Sequence, residues 1–290
     1  MSVLSEFLKA YTPQNGWGTF FTAAFGAFAG AFAASRAHNK RTIVAELNAV
    51  NAAHELSIAV ANMFISLKRQ HVVRLKEQFD QIKAAYVNHQ SMRQSGLQVA
   101  PFHFTADFGT LSVMATPHAA LEKMIFEKTL VRGRALAALV TLVGAVDGLS
   151  VSIKARNEMV EERRTAKWDD LERLQFFLGL RKADGVHDDR YPTNLASIVA
   201  QTDDCIFFAK ILASDLVRYS NKVRRTEGRF YRLRLPKMVE ADWSYPESLA
   251  LMPEDAAYET WLRGFSKKQP SRWQRIVDWR PFQKGTLKPS

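Results

Sequence analysis

Between Trp17 and Ala34 the chain reads WGTFFTAAFGAFAGAFAA, eighteen residues without a charge, and then turns basic at Arg36, Lys40 and Arg41. At about 1.5 Å per helical residue this run reaches roughly 27 Å, near the thickness of a hydrocarbon core. Phe21, Phe25, Phe28 and Phe32 recur at steps of 4, 3 and 4 and share one helical face, while Thr19, Ala23, Gly26, Gly30 and Ala34 share the opposite one. Small residues at this spacing let a second helix approach closely. The pattern predicts a transmembrane helix over 17–34 that packs through Ala23, Gly26, Gly30 and Ala34, in the simplest case against a second copy, with its phenylalanines toward lipid. Two other readings are open. Ala31-Phe32-Ala33 offers a signal-peptide cleavage site, although the preceding segment carries a single lysine and the basic cluster just after opposes translocation. The run could also be the Ala-rich core helix of a soluble protein.

Beyond the basic cluster the apolar positions step by 3 and 4. Val44, Asn51, Ile58, Ile65, Val72, Phe79 and Tyr86 are seven apart, and Leu47, His54, Ala61, Lys68, Leu75 and Ile82 form the companion row. No Gly or Pro interrupts residues 31–95, so the apolar helix is expected to continue unbroken into a long second part. Gly96, Pro101 and Gly109 mark a connection in which Phe102 and Phe104 allow a short extended piece. Thr116-Pro117 then signals a helix start. One helix to about Glu162 is expected, with Leu139, Val146, Ile153 and Val160 repeating every seven. Its run Ala135–Val146 is too short to span a bilayer and reads as core. A short helix fits Trp168–Leu180, ended by the turn at Gly185 and by Pro192. A further long helix fits 193–225, carrying Leu195, Ile198, Thr202, Cys205, Ala209, Leu212, Leu216, Tyr219 and Val223 on one stripe.

The fold class is therefore all-α: a transmembrane helix continuing into an elongated antiparallel helical bundle, followed by an irregular C-terminal region. Four parts are expected: an outer or interfacial segment at 1–16, the span at 17–34, the bundle at 35–228 and the irregular region at 229–290. In the first part Val3, Leu4, Phe7, Leu8 and Tyr11 share a face that could lie along the membrane surface. Six of the ten prolines and four of the six tryptophans follow Arg229.

Composition narrows the chemistry. The 290 residues are 47% hydrophobic and 24% charged, which excludes a disordered or low-complexity chain. A mean hydropathy of −0.19 is too polar for a polytopic membrane protein. The single cysteine, Cys205, rules out an internal disulfide and a cysteine-based zinc site, and it falls in an apolar stripe. Neither GxSxG nor GxGxxG nor GxxxxGK[ST] occurs, so no catalytic motif and no cofactor is assigned. His187, Asp188 and Asp204 are the best remaining metal or acid-base candidates, but their spacing matches no known ligand set and a solvated polar turn explains them. Asn51 and His54 are polar positions in an apolar stripe. They are expected to be buried, where such residues fix register or oligomer state.

The net charge of +11 is concentrated at one end. Lys222–Lys237 holds Lys222, Arg224, Arg225, Arg229, Arg232, Arg234 and Lys237 against Glu227 alone, with Phe230 and Tyr231 among them. Arg263–Ser290 holds eight more cations, including Lys267, Lys268, Arg272 and Arg275, against Asp278. Basic and aromatic residues together can lie against acidic headgroups, dock an acidic protein surface, or track a nucleic acid. The Lys/Arg excess after the apolar run predicts the N-terminus outside and the body in the cytoplasm. The expected protein is a single-pass scaffold or sensor of the cell's inner membrane. Its partners would be membrane lipid, its own second copy and a cytoplasmic protein. The alternative is a soluble or peripheral helical protein that binds nucleic acid through the two basic segments.

Overall fold

The computed structural model describes residues 17–165, 168–181, 185, 187–231 and 237–265. All regular elements among them are helical, apart from an isolated antiparallel bridge between Arg181 and His187. The chain divides into two compact units at Met252/Pro253.

In the first unit, α1 (Trp17–Leu67) passes through a π-helical turn at Lys68–Val72 into α2 (Val73–Gln94). The helix expected to cross the boundary at residue 34 does so. Its buried stripe begins at Leu47 and continues through Val50, Ala53, His54, Ser57, Val60, Ala61, Phe64, Ile65 and Leu67. This face is centred on the Leu47/His54/Ala61 row and its neighbour Val50/Ser57/Phe64. The Val44/Asn51/Ile58 row falls at its edge, and Asn51 is exposed rather than buried. A straight helix of 3.6 residues per turn drifts from a strict seven-residue repeat, which moves such a row off the core face. The π turn adds a residue to one turn and resets the phase. Val72 at its end and Leu75 and Ile82 after it are buried as the heptad reading requires. At the turn, the Lys68 ammonium donates to Asp203 Oδ1 at 2.6 Å and to the Leu251 carbonyl at 2.9 Å.

Residues 97–117 form an irregular crossing with no strand, so the Phe102/Phe104 alternation is not an extended pair. Their aromatic rings pack instead: Phe102 on Tyr86, Phe104 and Phe108 on Phe177. The expected helix over 118–162 is two helices, α3 (His118–Lys128) and α4 (Arg134–Thr165). Thr129 is extended, with φ −132° and ψ 160°, and Gly133 sits at φ +68°, a conformation other residues adopt at a cost. Within α4 the heptad positions Leu139, Leu142, Val146, Leu149, Ile153 and Val160 are all buried.

Helix α5 (Asp170–Leu178) opens with a capping box between Asp169 and Glu172 and closes on Gly179 at φ +65°. Helix α6 (Arg190–Tyr231) is longer than its apolar stripe suggested. Pro192 lies in its first turn, where the missing N–H is not needed, so it does not delay the start. Besides Leu195, Ile198, Thr202, Cys205, Ala209, Leu212 and Leu216, this helix buries Ile206, Phe207, Phe208, Ala213 and Val217. The second stripe exists because α6 packs on α4 along one side and on α1 along the other. It runs opposite to both. Asn194 and Gln201 bond Ser152 of α4, and Asp215 meets Arg134. On the other side Asp203 meets Lys68, Tyr219 meets Glu46 and Tyr231 meets Arg36. Burial of each large aliphatic side chain in these stripes contributes about 1.5–3 kcal/mol before chain entropy is counted. A short α7 (Pro246–Leu249) completes the unit.

The described part of the second unit is a 3₁₀ turn at Asp255–Tyr258 and α8 (Glu259–Arg263). Arg263 donates to Glu259 one turn back, and the Trp261 ring packs tilted against Phe265 with centroids 4.7 Å apart.

Candidate docking surfaces

From Phe20 to Thr42 every residue of α1 is exposed. Phe20, Phe21, Phe25, Phe28 and Phe32 are 60–75% accessible, and no charge lies between Trp17 and Ser35. A Cβ added at Gly26 or Gly30 would meet nothing within 4 Å, so the small-residue face with Ala23 and Ala34 is open along its length. This is far more contiguous apolar surface than a monomeric soluble protein leaves in water. Two helices, 20–94 and Arg134–Thr165, are long and apolar enough to cross a membrane. A buried core helix passes that test too, and α4 lines the core. The apolar window of the 20–94 helix is half-buried as well, and in α1 the exposed stretch is residues 20–42.

Immediately beyond the apolar turns, Arg36, Lys40 and Arg41 are exposed on α1. The opposed register of α6 brings a second basic group beside them. The Arg36 guanidinium lies 6.0 Å over the Tyr231 ring, and Tyr219 donates its hydroxyl proton to Glu46. Lys222, Arg224 and Arg225 fall between those two contacts. Lys222 and Arg225 are exposed and Arg224 is half-buried. Burial, with the Glu46 carboxylate alongside, pushes the Tyr219 hydroxyl well above the ordinary tyrosine range. Arg229 belongs to α6 by its backbone, and its side chain lies outside the described residues. So do Arg232, Arg234, Lys267, Lys268, Arg272 and Arg275, along with residues 1–16.

No family model, curated protein sequence or solved structure matches this chain. Its own geometry is the whole basis for a functional reading.

His54 and Asn51, expected to share a buried face, are separated by it. His54 is 4% exposed, with neither ring nitrogen hydrogen-bonded and Nδ1 3.4 Å from the Glu55 carboxylate. The residues near Gly185 are not gathered around one point. Asp188 accepts two hydrogen bonds from the Arg190 guanidinium, both at 2.9 Å, and faces Arg163 at 3.5 Å. The Arg190 bonds hold its carboxyl below the usual range. Asp204 is fourteen residues into α6 from Arg190, roughly 21 Å along the axis. Among the described residues no group of three or more His, Cys, Asp or Glu is placed to hold a metal ion. Cys205 is fully buried, and burial raises its thiol far above the ordinary range.

Two further arginines have structural work. Arg156 is completely buried in α4 and donates to the Gly109 carbonyl at 2.7 Å and the Asp107 carbonyl at 3.4 Å. Beside it, Asn157 exchanges two hydrogen bonds with the Leu111 backbone. Arg163 lies 3.8 Å over the Trp168 ring and 4.5 Å over Phe176. Burial and the neighbouring Arg190 lower its pKa, partly offset by Asp188 and Glu162. It lines a cavity of about 430 Å³ with Phe104, Phe108, Trp168, Arg173 and Phe176. A helical heptad pattern shows Arg156 only as a charged residue in an apolar row, which was the available clue.

Proposed function

We propose that this chain is a single-pass membrane protein with its N-terminus outside and its body in the cytoplasm. The cytoplasmic part is an elongated antiparallel helical bundle that works as a non-enzymatic scaffold or sensor, docking a cytoplasmic protein or acidic lipid at its basic end. The observation that carries this reading is the exposure of every residue from 20 to 42, with five phenylalanines and no charge in the first sixteen. Water is the one solvent in which such a helix is unfavourable, and a bilayer removes the cost. Cations stand on the side of the apolar turns that leads into the body, which supports that orientation. The unbroken passage of α1 through the boundary gives a rigid link between membrane and body.

The test is fractionation of cells expressing the full chain and a chain starting at Asn39, with carbonate washing and protease access at both ends. The full chain should resist extraction, with its C-terminus protected inside the cell, and the shorter chain should be extracted. If both chains are soluble, the anchored reading fails and residues 20–35 cover another protein surface.

Self-association is assigned to the open face of Ala23, Gly26, Gly30 and Ala34. Gly26→Leu with Gly30→Leu should reduce a membrane association reporter by about fivefold or more, because two branched side chains would stand where backbones must touch. An unchanged signal would remove that face from the mechanism.

A further inference from the structure

We propose that the end of α6 and the start of the body's α1 form one basic belt that binds acidic phospholipid headgroups of the bilayer holding residues 20–35. This rests on the reading of that helix as a span, and goes beyond it in naming the partner of a surface built from two distant segments. The register is set by three contacts between the antiparallel helices: Lys68 with Asp203, Glu46 with Tyr219, and Arg36 with Tyr231. With Glu46 opposite Tyr219 and Arg36 opposite Tyr231, Lys222, Arg224 and Arg225 stand level with the turn that carries Lys40 and Arg41. Six cations from segments some 180 residues apart in the chain thus occupy about three helical turns.

Along these two helices the sequence places few acids near Lys40, Arg41, Lys222 and Arg225. On α1 none occurs between Arg36 and Glu46, and Glu46 is engaged by Tyr219 and by the Leu130 backbone N–H. On α6 Glu227 is the one acid after Asp215, which is itself paired with Arg134. From Ser35, the last residue before the basic cluster, to Arg41 the belt extends about 9 Å along α1, comparable to a Debye length at physiological ionic strength. Charges at this depth act on a headgroup layer without entering hydrocarbon. Tyr231, half-buried beside Arg36, adds an aromatic ring with a polar tip at the same level. A protein partner could meet the same charges. The lipid is favoured because the apolar turns begin within a residue of Arg36, so a bilayer that takes them lies against the belt by necessity.

The experiment uses the full chain in two arms. In the first it is reconstituted into phosphatidylcholine nanodiscs, which asks only whether residues 20–35 insert. In the second the full chain in neutral detergent is titrated with phosphatidylglycerol and, separately, phosphatidylcholine, and bound lipid is counted by native mass spectrometry. The expected result is preference for phosphatidylglycerol, with apparent affinity falling about fivefold for each cation removed, so that K222Q/R225Q weakens binding by at least tenfold. Both positions are exposed, and circular dichroism checks that the variant folds. K83Q/K154Q, which removes the same charge from exposed sites away from the belt, should bind as the parent does.

Equal weakening by both variants, or no preference between the lipids, overturns the belt while leaving insertion standing. Failure to enter nanodiscs overturns the span instead. Salt-steep binding of a single-stranded oligonucleotide that K222Q/R225Q abolishes, with no lipid preference, would assign the belt to nucleic acid and refute the lipid proposal.

Discussion

Phe25→Arg together with Phe28→Arg is expected to move the full chain from the carbonate-resistant membrane fraction to the soluble one. The two side chains are 75% and 72% exposed and touch no core, so the fold of the body should survive the exchange. In a bilayer the same positions lie near the middle of the apolar run. There an arginine costs about 2.5–3.5 kcal/mol and a phenylalanine is slightly favourable, so the pair loses on the order of 6 kcal/mol. That corresponds to a shift of about four orders of magnitude in partitioning. Gly26 and Gly30 are untouched, which separates loss of insertion from loss of helix packing. Retention of the variant in the membrane pellet, with the Asn39 chain soluble, would mean that the helix is held there by protein contacts and not by lipid. A soluble parent chain would sink the premise altogether.

The second large effect is expected at Arg156, in the buried face of α4. Arg156→Ala should lower unfolding stability by on the order of 3 kcal/mol, read as a shift in denaturant midpoint with an unchanged slope. Two causes add. The change empties a volume that is wholly enclosed, and it leaves the Gly109 and Asp107 carbonyls without their donor. The segment these carbonyls belong to has no strand or helix to satisfy them otherwise. Arg156→Met restores much of the volume and none of the donors, and should recover part of the loss. Arg156→Lys restores a cation but not the fork that reaches two carbonyls, so it should also fall between Ala and the parent. Limited proteolysis is expected to cut first within 97–117 in the weakened variants. If Arg156→Ala unfolds at the parent's midpoint, the crossing is held without it, by the bonds of Gln78 and Asn157 to Asp107, Thr105 and Leu111 and by the packing of Phe102, Phe104 and Phe108.

Both effects concern residues whose visibility in the sequence differs. The phenylalanine face was legible from spacing alone, because a run of eighteen uncharged residues carries one helical period. Arg156 was not, because a lone arginine in an apolar heptad row is ordinarily an exposed flank position. Its meaning depends on carbonyls nearly fifty residues earlier in the chain. The break at Gly133 was equally hidden: apolar residues keep helical spacing on both sides, and one positive-φ glycine decides the connection. Asn51 and His54 looked equivalent, three residues apart in one pattern. They part because α6 and α3 cover a face centred nearer His54.

Local physics therefore determined the helical class, the long first helix, the stripes of α4 and α6 and the two basic concentrations. Each depends on side chains within a few turns of one another, and periodicity records that directly. Tertiary structure decided which stripe of α6 was doubled, where the crossing segment is clamped, and that Lys222, Arg224 and Arg225 stand beside Arg36, Lys40 and Arg41. Those outcomes come from the antiparallel pairing of α1 with α6. Which long helix becomes the neighbour, and in what register, is settled by complementary packing over the whole length of both, and no short window of sequence contains it.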